Sequence, residues 1–316
     1  MQDPAKGRVL LSVAGFDPQH WRKMLSVGRE VVLERERPVD SAIHYAVVWN
    51  RNPGLLSGLP NLKAIFSGGA GVDHLFADPE LPDVPIVRVV ADNLTQHMSE
   101  YVVWRVLDHH RQGFLYRAQQ RRKAWIEASQ PPADRVSVGI MGLGELGRAA
   151  ARALLALGFR VNGWSRSGAP VEGVGVYGGD EGLDAFLGAT DILVVLLPLT
   201  PATQGMIDFA LLSKLRRDNP LGGAVLINAG RGLLHNGADI LRALDEGVLK
   251  EASLDVFETE PLPETSPVWT HERVFVTPHA AAASDPEHLA RSMLEQMDAC
   301  DRGEALRNLV DRKAGY

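Results

Sequence analysis

The sequence predicts an α/β protein whose larger domain is a doubly wound parallel sheet and whose smaller domain is a second α/β unit. Three observations predict this class. Apolar, strand-like runs alternate with amphipathic, helix-like segments along most of the 316 residues. A cluster of glycines over 142–147 stands between such a run and such a segment. A shorter alternation before residue 100 indicates the smaller unit.

The smaller unit is predicted to begin near the amino terminus. Its strands are expected over residues 8–14, 45–49, 62–66 and 85–90, and a helix over 18–27. The small-residue segment 67–73 follows the third strand, where the lack of bulky side chains exposes backbone N–H groups to a ligand. A plain loop is an equally good interpretation of that segment taken alone.

A helical pattern fills the stretch from residue 93 to about residue 122. Apolar side chains recur there at helical spacing: Met98, Tyr101, Val102, Val106 and Leu107. We predict one long helix that leaves the first domain and enters the second. Its last turns carry basic side chains that we expect to form a solvated face: Arg117, Arg121, Arg122 and Lys123.

A βαβ unit is predicted over residues 136–164. Its strand is expected over 136–141, its helix over 148–157 with Gly158 closing it, and its second strand over 159–164. The intervening G-x-G-x-x-G sequence is a weak signal alone, because a tight turn can also be rich in glycine. A strand on each side favours dinucleotide binding over that alternative.

Each glycine of the cluster has a role in that interpretation. Gly142 permits the sharp turn off the strand, Gly144 lets the backbone approach a diphosphate, and Gly147 lets helix and strand pack closely. The N–H groups and the positive dipole end of the helix then face the phosphates. Glu145 suits the helix dipole but would repel a diphosphate, so we expect it to point outward.

The alternation continues to the end of the chain. Strands are expected over 191–197, 224–228, 252–257 and 273–276, and helices over 238–244 and 285–303. Ser284 or Asp285 is the expected N-cap of the last helix. Residues 168–182 are expected to form a loop with one short strand. Repeated βαβ spacing predicts a parallel, doubly wound sheet.

Composition excludes several classes of function. The formal net charge of -6 provides no basic excess to replace phosphate counterions, which argues against nucleic acid as a partner. The single cysteine, Cys300, excludes an internal disulfide and a C-x-x-C metal or redox motif. No apolar run approaches the ~20 residues that span a bilayer, and residues 1–8 lack a secretory pattern. We expect a cytoplasmic protein with no metal and no membrane partner.

Three polar residues follow predicted strands at their carboxyl ends, where ligands bind in parallel sheets. They are Arg231, Glu260 and His279. An arginine between two glycines can present its planar fork to a carboxylate. A surface arginine, a solvated carboxylate and a structural histidine are the alternatives. The shared location of Arg231, Glu260 and His279 at strand ends favours a functional site over these alternatives.

These residues belong to motifs that resemble those of a known family. In chain order, the motifs are Gly69-Ala70-Gly71-Val72-Asp73, the glycine cluster, Asn228-Ala229-Gly230-Arg231-Gly232, Leu254-Asp255-Val256-Phe257-Glu258-Thr259-Glu260-Pro261-Leu262-Pro263 and Thr277-Pro278-His279. The chain resembles the D-isomer-specific 2-hydroxyacid dehydrogenase family over essentially its whole length. It is most similar to the bacterial glyoxylate/hydroxypyruvate reductase A branch of that family.

The resemblance implies roles for particular residues. Arg231 would be the substrate clamp, Glu260 the partner of the histidine, and His279 the acid/base. The N–H groups of Ala70 and Gly71 would bind the substrate carboxylate, and Trp49 would be a wall of the pocket. The motifs and the resemblance together imply these cofactor contacts: Gly142, Gly144, Glu145, Leu146, Gly147, Ser165, Arg166, Ser167, Leu197, Pro198, Ala229, Gly230, Asp255 and His279.

The resemblance also implies an architecture. Residues 1–96 and 286–316 would form a flavodoxin-like substrate domain, and residues 97–285 a Rossmann cofactor domain. Two chains would form a homodimer through their cofactor domains. Aromatic residues in the long helical stretch support this assembly: Trp104, Phe114, Tyr116 and Trp125. Packing of these side chains between the two domains is the alternative.

The end of the second strand of the βαβ unit predicts the cofactor. NAD-binding folds place an acidic residue about 20 positions past the first glycine, on the ribose 2′-hydroxyl. Here the strand ends in Trp164-Ser165-Arg166-Ser167, and no carboxylate occurs before Glu172. An arginine flanked by two hydroxyls can bind a 2′-phosphate, so we predict a preference for NADPH, with NAD possible. If Arg166 merely stacks on the adenine, the protein would bind NADPH and NADH nearly equally well.

The residue types suit the reduction of a 2-keto acid. Hydride transfer develops charge on the keto oxygen, which requires a proton donor and a fixed positive charge. His279 can supply the first and Arg231 the second. Two other functions stay open at this point: a nucleotide-sensing, corepressor-like binding protein on the same fold, and a dehydrogenase for another D-2-hydroxy acid. Which keto acid is preferred does not follow from the sequence.

Overall fold

The computed structural model describes residues 6–36, 40–69, 71–88, 92–282 and 285–315. The chain divides into two compact units, one of Met1–Leu94 with Ser284–Tyr316 and the other of Thr95–Ala283. The assignment of substrate binding to the first unit and cofactor binding to the second stays a prediction. No helix in the described part of the chain is long and apolar enough to cross a bilayer.

The described residues form parallel strands and helices in alternation. The strands are β1 (Arg8–Val13), β2 (Val31–Leu33), β3 (Ile43–Trp49), β4 (Ala64–Ser67), β5 (Ile86–Val87), β6 (Ser137–Met141), β7 (Arg160–Ser165), β8 (Gly175–Gly178), β9 (Ile192–Val195), β10 (Ala224–Asn228), β11 (Leu249–Leu254) and β12 (Val274–Val276). The α-helices are α1 (Pro18–Leu25), α2 (Asp73–Phe76), α3 (Asp92–His110), α4 (Gly113–Arg121), α5 (Glu145–Ala156), α6 (Gly179–Gly188), α7 (Phe209–Leu212), α8 (Gly237–Asp245) and α9 (Pro286–Asp301).

The first unit is built on a parallel sheet in the order β2-β1-β3-β4-β5 across its described strands. Four of these strands are predicted from sequence, and β2 is missed. All three residues of β2 are buried, but charged residues flank it on both sides, so its apolar run is too short to stand out. The predicted residues 89 and 90 of the last strand lie outside the described residues.

Helix α9 begins after Asp285, whose side chain caps it by accepting from Glu287 N–H. The alternative cap, Ser284, lies outside the described residues.

The predicted single helix over 93–122 is wrong, because α3 and α4 are separate helices. Gln112 between them adopts a left-handed conformation with φ 59°, in which an α-helix of L-residues does not propagate. The four basic side chains at the end of this stretch are exposed, as predicted. Arg117 among them also pairs with Asp108 over 2.8 Å, so this face is not merely solvated.

The second unit is built on a parallel sheet in the order β12-β11-β10-β9-β6-β7-β8, so the predicted doubly wound sheet is confirmed. The strand order reverses at β6, which lies between β7 and β9. Ligands of such sheets bind outside the carboxyl ends of the strands at this reversal. Successive residues of the central strands enter different apolar clusters, Val194 and Ile227 in one and Val195 and Leu226 in the other. Side chains alternate across a sheet, so the core covers both of its faces.

Several element boundaries in the second unit differ from the predicted ones, and the following differ by three residues or more. Helix α5 begins at Glu145, three residues before the predicted start, because Gly147 is small enough to enter the first turn. Strand β11 covers Leu249–Leu254 and not 252–257, because it includes the polar Lys250 and Glu251. The predicted loop over 168–182 contains the expected short strand, but α6 already begins at Gly179.

Candidate active site

The carboxyl ends of six strands in the second unit lie side by side. Met141 of β6 is in register with Trp164 of β7 and with Val195 of β9. Val195 is in register with Asn228 of β10, which pairs with Leu254 of β11, and Leu254 pairs with Val276 of β12. The glycine cluster and the segments of Arg166, Arg231, Glu260 and His279 all follow these ends. One edge of the sheet therefore carries every candidate segment of this unit.

The glycine cluster has the geometry of a close backbone turn. Gly142 has φ 105°, and a Cβ there would lie 2.7 Å from the carbonyl oxygen of Leu196. A Cβ on Gly147 would overlap the carbonyl oxygen of Gly142. Arg148, which the sequence analysis does not identify, donates from Nε to the carbonyl oxygen of Leu143 over 2.9 Å. This bond ties the loop to the helix that follows it.

The start of α5 fits a diphosphate. Its N-cap is Gly144, with no side chain to accept from the first-turn N–H groups, which include those of Leu146 and Gly147. A Cβ on Gly144 would meet nothing within 4 Å, so packing inside the protein does not require a glycine there. The lack of a side chain at this position leaves room for a ligand. Glu145 is exposed, and its expected orientation away from a diphosphate stays a prediction.

The segment after β7 presents an exposed arginine between two hydroxyls. Ser165 Oγ accepts from Gly168 N–H over 3.2 Å, and Ser167 Oγ accepts from Ala169 N–H over 3.3 Å. A hydroxyl that accepts in this way can still donate its own proton to a phosphate oxygen. Arg166 is exposed beside them. These three residues fit a 2′-phosphate.

His279 and Glu260 form a close pair. Nδ1 of His279 lies 2.8 Å from Glu260 Oε2, and about a third of each side chain is exposed (40% and 36%). The other oxygen, Oε1, accepts from Phe257 N–H over 2.9 Å. Burial alone would raise the pKa of Glu260, but the hydrogen bonds from His279 and Phe257, with the charges of His279 and Arg231, lower it below its ordinary value. Glu260 is therefore a carboxylate at neutral pH, as the predicted partner role requires.

The turn that carries His279 is held by Asp255. His279 has φ 54° and donates its N–H to the carbonyl oxygen of Asp255 over 2.7 Å. The Asp255 carboxylate accepts from the hydroxyl of Thr277 at 2.6 Å and from the N–H groups of Ala280 at 2.8 Å and Ala281 at 3.0 Å. The resemblance implies a cofactor contact for Asp255, whereas this side chain is only 1% exposed and binds the histidine turn. Its hydrogen bonds thus stabilise the left-handed conformation of His279.

A network that the sequence analysis misses holds the segment of Arg231. Buried Asn228 accepts from Gly230 N–H through Oδ1 at 3.0 Å and donates through Nδ2 to the carbonyl oxygen of Arg231 at 3.1 Å. The same Nδ2 lies 2.8 Å from Nδ1 of His235, which must therefore accept. A Cβ on Gly232 would overlap the carbonyl oxygen of Phe257, so this segment packs directly on the one that leads to Glu260.

The remaining predicted cofactor residues follow two neighbouring strands. Leu197 and Pro198 come after β9, and Ala229 and Gly230 come after β10. A Cβ on Gly230 would lie 3.0 Å from the carbonyl oxygen of Leu197, so the two segments are in close backbone contact. Leu197 and Ala229 are buried. Only a small residue at position 230 permits this approach.

The first unit contains the other predicted substrate residues. Trp49 ends β3, and its ring lies 4.8 Å from that of His74 between centroids. A Cβ on Gly69 would overlap the Trp49 ring, so the small-residue segment lies directly against it. The buried hydroxyl of Ser67 is 2.8 Å from the carbonyl oxygen of Gly69 and 3.0 Å from that of Gly71. Ala70 lies outside the described residues, and the substrate contacts of Trp49 and Gly71 stay predictions.

Known proteins match the chain over most of its length. Residues 103–281 match the family described as D-isomer specific 2-hydroxyacid dehydrogenase, NAD binding domain. Glyoxylate/hydroxypyruvate reductase A of Citrobacter koseri is 39% identical over 309 residues, which cover 95% of this chain and 97% of that protein.

Solved structures match as well. An NADPH-dependent glyoxylate/hydroxypyruvate reductase from Sinorhizobium meliloti, in complex with NADP and sulfate, is 49% identical with a TM-score of 0.93, covering 98% of this chain and 100% of that chain. A probable 2-hydroxyacid dehydrogenase from Rhizobium etli, in complex with NADP, HEPES and L(+)-tartaric acid, is 45% identical with a TM-score of 0.92, again covering 98% of this chain and 100% of that chain.

Proposed function

This chain belongs to the D-isomer specific 2-hydroxyacid dehydrogenase family, and we propose that it reduces a small 2-keto acid, such as glyoxylate or hydroxypyruvate, to the D-2-hydroxy acid with NADPH. The observation that supports this most is the pair of His279 and Glu260 at 2.8 Å. The pair follows the same sheet edge as Arg231 and as a glycine cluster whose helix begins without a side-chain cap. A proton donor, a fixed cation and a dinucleotide cradle are the parts that this reaction needs.

Residues of the second unit would hold the cofactor. The diphosphate would lie on the first-turn N–H groups of α5, and the 2′-phosphate on Arg166 with Ser165 and Ser167. Bound NADPH would supply a hydride to the carbonyl carbon of the substrate. NADP in the similar reductase from Sinorhizobium meliloti supports the choice of cofactor.

His279 would supply the proton. With Nδ1 2.8 Å from the Glu260 carboxylate, that nitrogen carries a proton and Nε2 is left for the substrate. In the imidazolium form Nε2 donates to the developing alkoxide, and Glu260 stabilises the cation before the transfer. The lowered pKa of Glu260 keeps this partner ionised at neutral pH.

Arg231 would bind the substrate carboxylate and the keto oxygen. Its backbone is fixed on both sides by Asn228, and its Nη1 donates to the carbonyl oxygen of Gly230 over 2.8 Å. A guanidinium presents a planar fork of N–H groups that matches a carboxylate. A cation near the keto oxygen stabilises the negative charge that develops there. Arg231 also contributes to the lowered pKa of Glu260, which supports its placement at the same site.

A panel of 2-keto acids with NADPH and NADH tests the proposal. Oxidation of NADPH should accompany reduction of glyoxylate, hydroxypyruvate or both, and the product should be the D-isomer where it is chiral. Tight NADPH binding without turnover of any 2-keto acid would instead favour a nucleotide-sensing protein. Turnover confined to a different 2-hydroxy acid would agree with the family but would show that the proposed substrate is wrong.

We also propose a homodimer. Large apolar side chains of α3, α4 and the segment after them are exposed: Trp104 49%, Leu115 36%, Tyr116 40%, Trp125 101% and Ile126 63%. Such a group on one unit marks a protein interface more often than a solvated surface. Light scattering at micromolar concentration should give twice the mass of one chain. A mass of one chain would remove the proposal, and Trp125→Ser should lower the dimer fraction if this surface is the interface.

A further inference from the structure

Tyr101 begins a chain of hydrogen bonds that leads to the turn of His279. Its phenolic oxygen, on α3, is 2.9 Å from Thr277 Oγ1. Thr277 Oγ1 in turn donates to Asp255 Oδ1 over 2.6 Å. A threonine hydroxyl has one proton, and since that proton lies toward Asp255, its oxygen accepts from Tyr101. Tyr101 is therefore the donor, and the chain runs from Tyr101 through Thr277 to Asp255.

The contacts at the end of this chain determine the backbone of His279. Asp255 holds Thr277 before the histidine and Ala280 and Ala281 after it. A residue other than glycine keeps a φ near 54° only when its surroundings enforce that conformation. These contacts all join the turn to Asp255, the residue that follows β11. Tyr101 adds a contact from a different element, a helix that runs past the turn.

The environment of Tyr101 keeps it a donor. Its side chain is buried, and burial raises the pKa of its hydroxyl to about 12. The hydroxyl thus keeps its proton across the range in which an enzyme would be assayed. The ring packs edge-on against Trp104, with centroids 5.9 Å apart. Aromatic packing alone would need only a phenylalanine at this position.

We propose that Tyr101 is a positioning residue for His279. Its donated hydrogen bond fixes the side chain of Thr277. Through Thr277 and Asp255, this bond holds residues 277–281 in the conformation that places Nδ1 of the His279 imidazole beside Glu260. The kinetic consequence rests on the proposed function, whereas the orientation of the imidazole is a property of the protein without substrate. The second unit begins at Thr95, about two helical turns before Tyr101, so the turn is tied to the helix by which the chain enters this unit.

The test uses Tyr101→Phe, which keeps the ring and removes only the hydroxyl. Nitrogen-15 spectra of the imidazoles, with the His279 signals assigned from His279→Gln, report which ring nitrogen carries the proton in the neutral form. Wild type should have it on Nδ1, and Tyr101→Phe should move a measurable fraction to Nε2. The turnover number should fall about three- to tenfold, as for one lost hydrogen bond. KM for NADPH should stay unchanged.

The matched control is Tyr45→Phe, because Tyr45 is also a buried tyrosine, whose hydroxyl donates to Asp301 over 2.7 Å in the first unit. It should lower stability without changing the His279 tautomer or the turnover number. If Tyr101→Phe keeps the wild-type tautomer of His279, the proposal is wrong, whatever happens to stability. Thr277→Val removes the same chain and replaces Tyr101→Phe should that variant fail to fold. A wild type that reduces no 2-keto acid overturns the proposed function, and the tautomer measurement still decides this proposal.

Discussion

Replacing His235 should change how the stability of the second unit depends on pH. His235 is 3% exposed, and burial lowers its pKa from 6.5 to about 4. It is therefore neutral at pH 7, with Nδ1 accepting from Asn228. In the unfolded chain the same imidazole takes up a proton below about pH 6.5. Between pH 6.5 and 4 the unfolded state binds the proton and the folded state does not, so stability falls as the pH falls through this window.

The size of this effect follows from the two pKa values. A difference of one unit corresponds to about 1.4 kcal/mol, so the full window accounts for roughly 3 kcal/mol of unfolding free energy. His235→Asn keeps an acceptor near the position of Nδ1 and removes the titration. The variant should be less stable than wild type at pH 7, because it leaves space in the core. The difference should shrink by up to roughly 3 kcal/mol as the pH falls toward 4.

Urea unfolding followed by tryptophan fluorescence and circular dichroism, at several pH values between 7 and 4, measures this difference. The transitions of the two units have to be fitted separately, because a chain of this size need not unfold in one step. His20→Asn is the matched control, since His20 is exposed and its replacement should leave the pH dependence of wild type intact. A stability difference between wild type and His235→Asn that stays constant from pH 7 to 4 would refute this account of His235.

Three further predictions concern the ligand segments and the packing between them. Arg231→Lys keeps the charge but loses the planar fork, so KM for the keto acid should rise and kcat should fall together, and unchanged values would make Arg231 structural. Wild type should prefer NADPH by about tenfold or more in kcat/KM, and Arg166→Asp should reverse this preference. Arg152→Asp makes the same charge change at an exposed position of α5 and should not reverse it. An Arg166→Asp variant that still prefers NADPH would contradict the 2′-phosphate contact. Gly232→Ala should destabilise the second unit by about 1–3 kcal/mol or more because its Cβ would overlap Phe257, while Gly188→Ala, whose Cβ meets nothing within 4 Å, should have little effect on the melting temperature.

The glycine cluster and the strand ends are predictable because their signals are local. Strand β10 has the predicted bounds, since a run of four apolar residues and Asn228, all five of them buried, is followed by a segment containing two glycines. Gly142 and Gly147 are required by contacts with residues a few positions away or on the adjoining strand. The candidate residues Arg231, Glu260 and His279 can be found because parallel strands bring their carboxyl ends to one edge.

The supports of the site are not predictable in the same way. Asp255 finds its partners at Thr277, Ala280 and Ala281, on the far side of another strand, so no local pattern shows where its carboxylate points. Tyr101 looks like one more apolar residue of a helix. His235 looks like a surface histidine until its burial and its bond to Asn228 are known. Each of these roles depends on tertiary packing.

The identity of the proton donor is the central claim, and the turnover number of His279→Ala with glyoxylate and NADPH at neutral pH tests it most directly. Loss of a positioned acid should lower kcat by about 10²- to 10⁴-fold, while NADPH still binds. His271→Ala, at another histidine of the same unit that lies 3.5 Å from Asp245, is the control and should keep wild-type turnover. A kcat of His279→Ala close to that of wild type would contradict the account, because the proton would then have to come from a different group.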